Sequence, residues 1–279
     1  MNFPTNKEHI SYSEVKNWRE CPWKHKLMYI DKIETYENNP YAEFGTIIHD
    51  TIESYLKSGT MRTDDVETRL HEKWEEMHFD SAEYISKMVI QRKKFDLKYR
   101  HEKFDSWVKS ANNILAAIPE FMEYNFGDWE YISAEEQLYE PMPELGLNFK
   151  GFIDAIIKSK KNNKEKYWVI DWKTTGPRGW YVDKRRDFLV QAQVGLYKKF
   201  WAEREQIPLK SIGCGYALLK RNTRQERCAW FMPVSVGPKF ITKSEKLLES
   251  MVKSVRKGMN LKNRSNCKFC PFYQTEHCT

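Results

Sequence analysis

Two apolar runs, "LNFKGFIDAIIKS" at 147–159 and "KYWVIDWKTT" at 166–175, constrain this chain more than any other feature. Both are rich in β-branched and aromatic residues, and a short Lys- and Asn-rich piece joins them, so they predict an antiparallel β-hairpin. Each run carries an acid among its apolar residues: Asp154 after "GFI" and Asp171 after "WVI". Side chains alternate faces along a strand, so Asp171 and Lys173 share a face while Trp172 points away. In a hairpin, Asp154 and Asp171 can lie on one face at one level. A buried charge is costly unless it is paired or bound to a metal. Two carboxylates alone there would repel, and a divalent cation such as Mg²⁺ resolves the conflict. The hairpin therefore predicts two carboxylates and an ammonium converging on one point, a set suited to phosphodiester hydrolysis.

The remaining pattern predicts an α/β core of about five strands with helices on its faces, plus a helical N-terminal half. Helices are expected over 11–30, 43–59, 64–78, roughly 82–126 with a break near Pro119, 184–206 and 238–258; further strands are expected over 131–142, 212–221 and 228–236. The chain has 279 residues, which suits one large domain or one domain with an insertion. No apolar run approaches the ~18 residues that span a bilayer, so no membrane partner is expected. The start lacks the basic and apolar regions of a secretory signal, which makes a cytoplasmic location the expectation. Net charge is +7, from 46 basic and 39 acidic residues, consistent with a nucleic-acid partner. The basic residues cluster in "KSKKNNKEK" at 158–166, "DKRRD" at 183–187 and "KSVRKGMNLKNR" at 253–264. No G-x-x-x-x-G-K-[ST] loop is present, so the chain has no helicase motor of its own.

Three of the six cysteines crowd the tail as C-x2-C-x7-C: Cys267, Cys270 and Cys278. Such a cluster reads as metal or redox chemistry before disulfides. Three cysteines need a fourth ligand for a tetrahedral sulfur site or a four-iron cluster, and Cys21 is the natural candidate. Ligand type alone admits both iron–sulfur and zinc, and His277 beside Cys278 keeps zinc open. Cys214 and Cys228 lie in strand-like apolar runs and read as core thiols.

The order "GFIDAII", "VIDWKTT", "QAQVGLYKKFW" resembles the RecB-type branch of the PD-(D/E)xK nuclease superfamily, found in bacterial helicase–nucleases, CRISPR-adaptation nucleases and phage exonucleases. The family pattern G-x-x-D, D-x-K, Q-x-x-x-Y maps onto Gly151–Asp154, Asp171–Lys173 and Gln193–Tyr197. The resemblance implies a restriction-endonuclease-like core and a DNA nuclease dependent on Mg²⁺ or Mn²⁺, more often an exonuclease than an endonuclease. It implies that His49, in the G-x-x-x-H turn of "FGTIIHD", holds metal with Asp154, Asp171 and the backbone carbonyl of Trp172. It adds one acid from the preceding strand, Glu135 ahead of Glu136. Lys173 would position the attacking water. Gln193 and Tyr197 would reach the active site and the DNA backbone, with Lys184, Arg185 and Arg186 as further DNA contacts. "NWRECPWKHKLMYI" resembles the family's first cysteine motif, so Cys21 would join Cys267, Cys270 and Cys278 around a 4Fe-4S cluster, with Zn²⁺ as the alternative.

The expected organisation is then a single nuclease domain over 1–279, with a helical insertion at 60–130, a catalytic sheet at 131–236, and a staple of 259–279 with Cys21. A phage or bacterial role in recombination or repair, beside a separate helicase or recombinase, follows from the same resemblance. The rival expectation is a non-catalytic DNA-binding or partner-binding subunit on the same fold.

Overall fold

The pleated hairpin organises everything around it. The computed structural model describes residues 3–34, 40–76, 104–161 and 163–278. Its strands are β1 (His9–Ser11), β2 (Asp128–Met142), β3 (Leu147–Lys161), β4 (Lys164–Thr175), β5 (Ile212–Lys220) and β6 (Ala229–Pro233). Its α-helices are α1 (Tyr12–Glu20), α2 (Pro22–His25), α3 (Pro40–Ser58), α4 (Val66–Glu76), α5 (Phe104–Phe126), α6 (Val182–Arg186), α7 (Phe188–Arg204), α8 (Gln225–Cys228) and α9 (Pro238–Arg256).

The six strands form one mixed sheet. β3 and β4 are the expected antiparallel hairpin, in register from Ala155–Ile170 to Lys161–Lys164. β4 continues as a parallel partner of β5, and β6 closes that side antiparallel to β5. β2 runs antiparallel to β3 along its whole length, while β1 pairs in parallel with the start of β3. The sixth strand is β1, whose three residues are too few to show a period of two.

Two apolar cores sandwich the sheet. One gathers Val15 of α1, Leu196 and Phe200 of α7, and Leu248 and Met251 of α9. The other gathers Phe44 and Ile48 of α3, Leu70 of α4, and Ile114 and Ile118 of α5. Nearly every turn of α7 is buried, because it lies between the sheet and α9; a helix apolar all round is a buried one.

Three expectations need correction. The helix expected over 11–30 breaks at Cys21, which is extended at φ −164° and ψ 111° because Pro22 disfavours a helical residue before it. A turn of π-helix, Lys26–Ile30, follows α2. The break expected near Pro119 does not occur: α5 runs through it, with Leu115, Ile118 and Met122 buried on both sides of the proline. The expected helix over 184–206 is two helices, because Asp187 between them is extended and its side chain accepts from Leu189 N–H at 2.8 Å. Residues 77–103, within the expected insertion, lie outside the described residues.

The site is positioned by two irregularities. Along β3, Phe149 and Ile153 belong to the α7–α9 core, but Ala155 and Ile157 belong to the α3–α5 core. Residues two apart should share a face, so the pleat is interrupted at Asp154. Opposite, between the pairs Ala134–Ala155 and Glu136–Ile153, Glu135 takes a left-handed φ of 47° inside a strand. That conformation is uncommon outside glycine, and such strain gathers at functional sites.

Candidate active site

Ladder pairing between β3 and β4 ends at Ala155–Ile170, and beyond it Asp154 and Asp171 stand opposite one another. Trp172 fixes the strand that carries Asp171. Its indole is 1% exposed and packs against Phe121 at 6.1 Å between ring centroids. Its N–H, freed from the ladder, donates to Asp154 Oδ2 at 2.7 Å. N–H and C=O of one strand residue project to the same side, so the Trp172 carbonyl also faces the gap where the strands part.

Lys173 Nζ lies 2.5 Å from Asp171 Oδ2. The other oxygen, Oδ1, accepts from Gln193 Nε2 at 3.1 Å. Gln193 reaches down from α7 and also donates to Tyr197 Oη at 3.2 Å, one turn on. His49 approaches from α3 on the opposite side of the sheet, with Nδ1 3.8 Å from Asp154 Oδ2. The two motif glycines make these approaches possible. A Cβ on Gly151 would stand 2.6 Å from Tyr197 Cε1, and one on Gly45 would stand 3.1 Å from Thr174 Oγ1. Glycine at the first lets the tyrosine ring lie on β3; at the second it lets α3 close on β4.

The sequence model of the PD-(D/E)XK nuclease superfamily matches residues 9–275. The chain belongs to that superfamily. Among solved structures, a candidate exonuclease from Eubacterium rectale is similar in fold, with a TM-score of 0.52 at 12% identity over 97% of this chain and 90% of that one. No curated protein matches. Nucleases of the superfamily generally use Mg²⁺ or Mn²⁺.

The electrostatics of this nuclease fit such an ion. Burial pushes the Asp171 carboxyl up to about 6, with Lys173 opposing and Asp154 adding to the rise. Burial likewise raises Asp154 to about 6, against Lys173 and the Trp172 N–H. Burial lowers His49 to about 4, with Lys173 adding, so its ring is neutral near pH 7. Its Nε2 is buried and makes no hydrogen bond among the described residues. Burial opposes the charge of Lys173, but Asp171 and Asp154 outweigh it and hold the ammonium protonated well above the ordinary lysine range. The buried Asp171 carboxylate, the half-buried Asp154 carboxylate and a neutral imidazole are a donor set for a hard divalent cation. Among the described residues no three His, Cys, Asp or Glu side chains are drawn in as ligands of one ion. In this arrangement Lys173 is the cation beside Asp171.

Glu135 and Glu136 part company. Glu136 Oε1 pairs with Arg204 at 2.5 Å, toward the end of α7. Glu135 stands on β2 level with Asp154 of β3, where burial raises its carboxyl, followed by Glu53, Asp50 and Asp171. Glu53 itself is engaged by Lys57 one turn on. Of the basic triplet, Lys184 lies over the Trp180 ring at 4.6 Å, Arg185 stacks on Trp230 at 5.3 Å, and Arg186 is exposed.

Tyr216 belongs to the site although nothing in its own segment marks it. Register sets it beside Asp171 on the neighbouring strand. Its hydroxyl donates to the Val190 carbonyl at 2.5 Å, with Gln193 Oε1 as a second acceptor at 3.4 Å. Only the parallel pairing of β4 with β5 reveals this, and that pairing crosses α7 in the chain.

Far along the sequence, the ends meet. Cys21, Cys267, Cys270 and Cys278 all line one cavity of about 180 Å³. Lys24, Lys262 and Arg264 stand in the same wall, and Asn263 N–H lies 3.4 Å from Cys21 Sγ. Burial raises the Cys270 thiol, and Cys21 and Cys278 nearby add to the rise. The His277 side chain is not part of the lining. Cys214 and Cys228 are buried elsewhere in the two cores, where burial pushes them up to about 12 and about 11.

Proposed function

We propose that this protein is a Mg²⁺- or Mn²⁺-dependent DNA exonuclease of the RecB-type branch, acting in recombination or repair. The observation that carries the reading is the meeting, where β3 and β4 part, of Asp154, Asp171, Lys173 and His49 from two strands and a helix. His49, Asp154, Asp171 and the Trp172 carbonyl would hold the ion, with Glu135 in reserve across the strand. When bound, the ion polarises the scissile phosphate and acidifies a water. Lys173 orients that water and offsets charge growing on the phosphoryl oxygens. Gln193 holds Asp171, and Tyr197 buttresses Gln193. Lys184, Arg185 and Arg186 bind the DNA backbone, which makes affinity fall with salt.

Four cysteines around one cavity, with cationic side chains beside them, support a 4Fe-4S cluster that staples the first helices to the tail. The whole of 1–279 then reads as one nuclease domain: a sheet core over 131–236, a helical insertion over 60–130, and the staple. A separate helicase or recombinase would supply the unwound or processed end.

End-labelled linear DNA and covalently closed circular DNA, incubated with Mn²⁺, test the reading. Linear DNA is expected to lose its label progressively, circular DNA to persist, and Lys173→Ala to cut neither. Equal cutting of the circle would make the enzyme an endonuclease. No metal-dependent cutting, or cutting unchanged by Lys173→Ala, would leave a DNA-binding subunit instead.

A further inference from the structure

The segment after β4 carries a patch whose exposed rings and cations neither the metal site nor the core uses, with Trp180 tying it to the core. From Arg178 to Arg186 it presents four basic residues against one acid, Asp183, and it exposes aromatic surface. Tyr181 is 64% exposed, and Trp230 of β6 is 41% exposed; Arg185 links them, its N–H donating to the Tyr181 carbonyl and its guanidinium lying on the Trp230 ring. Each indole here lies under a cation: Lys184 over Trp180, Arg185 over Trp230. The patch is continuous with the active site. Trp180 packs on Tyr216 at 4.9 Å between centroids, Tyr216 reaches Gln193, and Gln193 holds Asp171.

Exposed rings alternating with cations match one class of ligand. A duplex buries the faces of its bases, whereas an unpaired strand offers both base faces and a phosphate for every base. Aromatic rings take the faces without regard to sequence, and Lys and Arg take the phosphates. We infer that Tyr181 and Trp230 form a stacking platform for single-stranded DNA, with Lys184 and Arg186 on its phosphates, which feeds an unpaired strand to Asp171. This deepens the proposed function, on which it rests, by naming an unpaired strand as the substrate.

Binding in EDTA, where no cleavage is read, tests the platform separately from the nuclease reading. The probes are a fluorescent oligo-dT and a blunt duplex of equal length, followed by anisotropy. Tyr181→Ala and Trp230→Ala are each expected to weaken oligo-dT binding by about tenfold or more, and duplex binding by less than about twofold. Tyr181→Phe, which keeps the ring, should restore oligo-dT affinity. Arg186→Ala should instead reduce the salt dependence of binding. Unchanged oligo-dT affinity in both alanine variants, or an equal loss on duplex, would overturn the platform and give the patch to a protein partner. Failure to cut DNA would sink the nuclease reading yet leave this comparison readable.

Discussion

The Gln193 amide is fully committed to protein partners: it donates to Asp171 and Tyr197 and accepts from Tyr216. It therefore fixes which Asp171 oxygen is left for chemistry. Groups that orient ligands in this way usually matter by 10- to 100-fold, so Gln193→Ala should lower cleavage by about that factor with little change in melting temperature. Gln193→Glu should place a like charge beside Asp171 and move the acid limb of the pH–rate profile upward. A profile unmoved by the glutamate would show that the amide does not act through Asp171. Proton linkage gives a second expectation at this scale. Asp154 and Asp171 are raised to about 6, so below that pH the metal-free folded protein holds protons the unfolded chain has lost. Their contribution to stability therefore falls as pH rises to about 6. His49, lowered to about 4, acts in the opposite sense, since the folded ring loses its proton first and gains stability as pH rises to its unfolded value. Metal binding needs both acids ionised, and His49 is already neutral. Calorimetric Mn²⁺ affinity should then hold steady above about pH 7 and drop by at least about tenfold per unit below about pH 6. A flat profile from pH 5 to 8 would remove the carboxylates from the ligand set.

Two of the prolines in helices, Pro22 and Pro119, show what local sequence can and cannot decide. Pro22 sits where its ring pushes Cys21 out of helical geometry, and "ECPW" contained that break. Pro119 lies in a helix interior, where proline removes a hydrogen bond, yet α5 continues through it, because buried residues on either side hold it to the sheet and to α3. Pro119 is itself exposed, so Pro119→Ala removes no packing and supplies an N–H that can donate to the Leu115 carbonyl. It should stabilise the protein by about 1–3 kcal/mol in urea unfolding. No gain would mean that the helix has already adapted around the ring. The hairpin was legible for the opposite reason: its period-two pattern and its short connection are both local. β1 was not, because three residues acquire strand geometry only from their partner, the start of β3. The convergence of Asp154, Asp171 and Lys173 could be read from strand alternation. That His49 and Gln193 arrive from helices on opposite faces could be anticipated only by resemblance. Tyr216 required the topology.

At the scale of the molecule, the sheet separates two cores, and the side chains proposed for catalysis gather where its central pair opens. The four-cysteine cavity lies at the junction of the first helices and the tail, remote in sequence from the hairpin. A cluster there would act on folding rather than on the chemical step. Cys278→Ser is accordingly expected to give little soluble protein, with visible absorption and bound iron lost together. A soluble, colourless and fully active variant would contradict the staple. Hydrogen bonds independent of any cluster already join the two ends. Glu20 O accepts from Asn263 Nδ2 at 2.9 Å and from Asn266 Nδ2 at 2.8 Å, and Trp23 N–H reaches Leu261 O at 3.2 Å. Glu20 and Asn263 are 243 residues apart. At roughly 5–20 residues per second of translation, α1 leaves the ribosome on the order of tens of seconds before its clasp exists. Through that interval α1 lacks its tie to the tail, and its N-terminal end is open to chaperones.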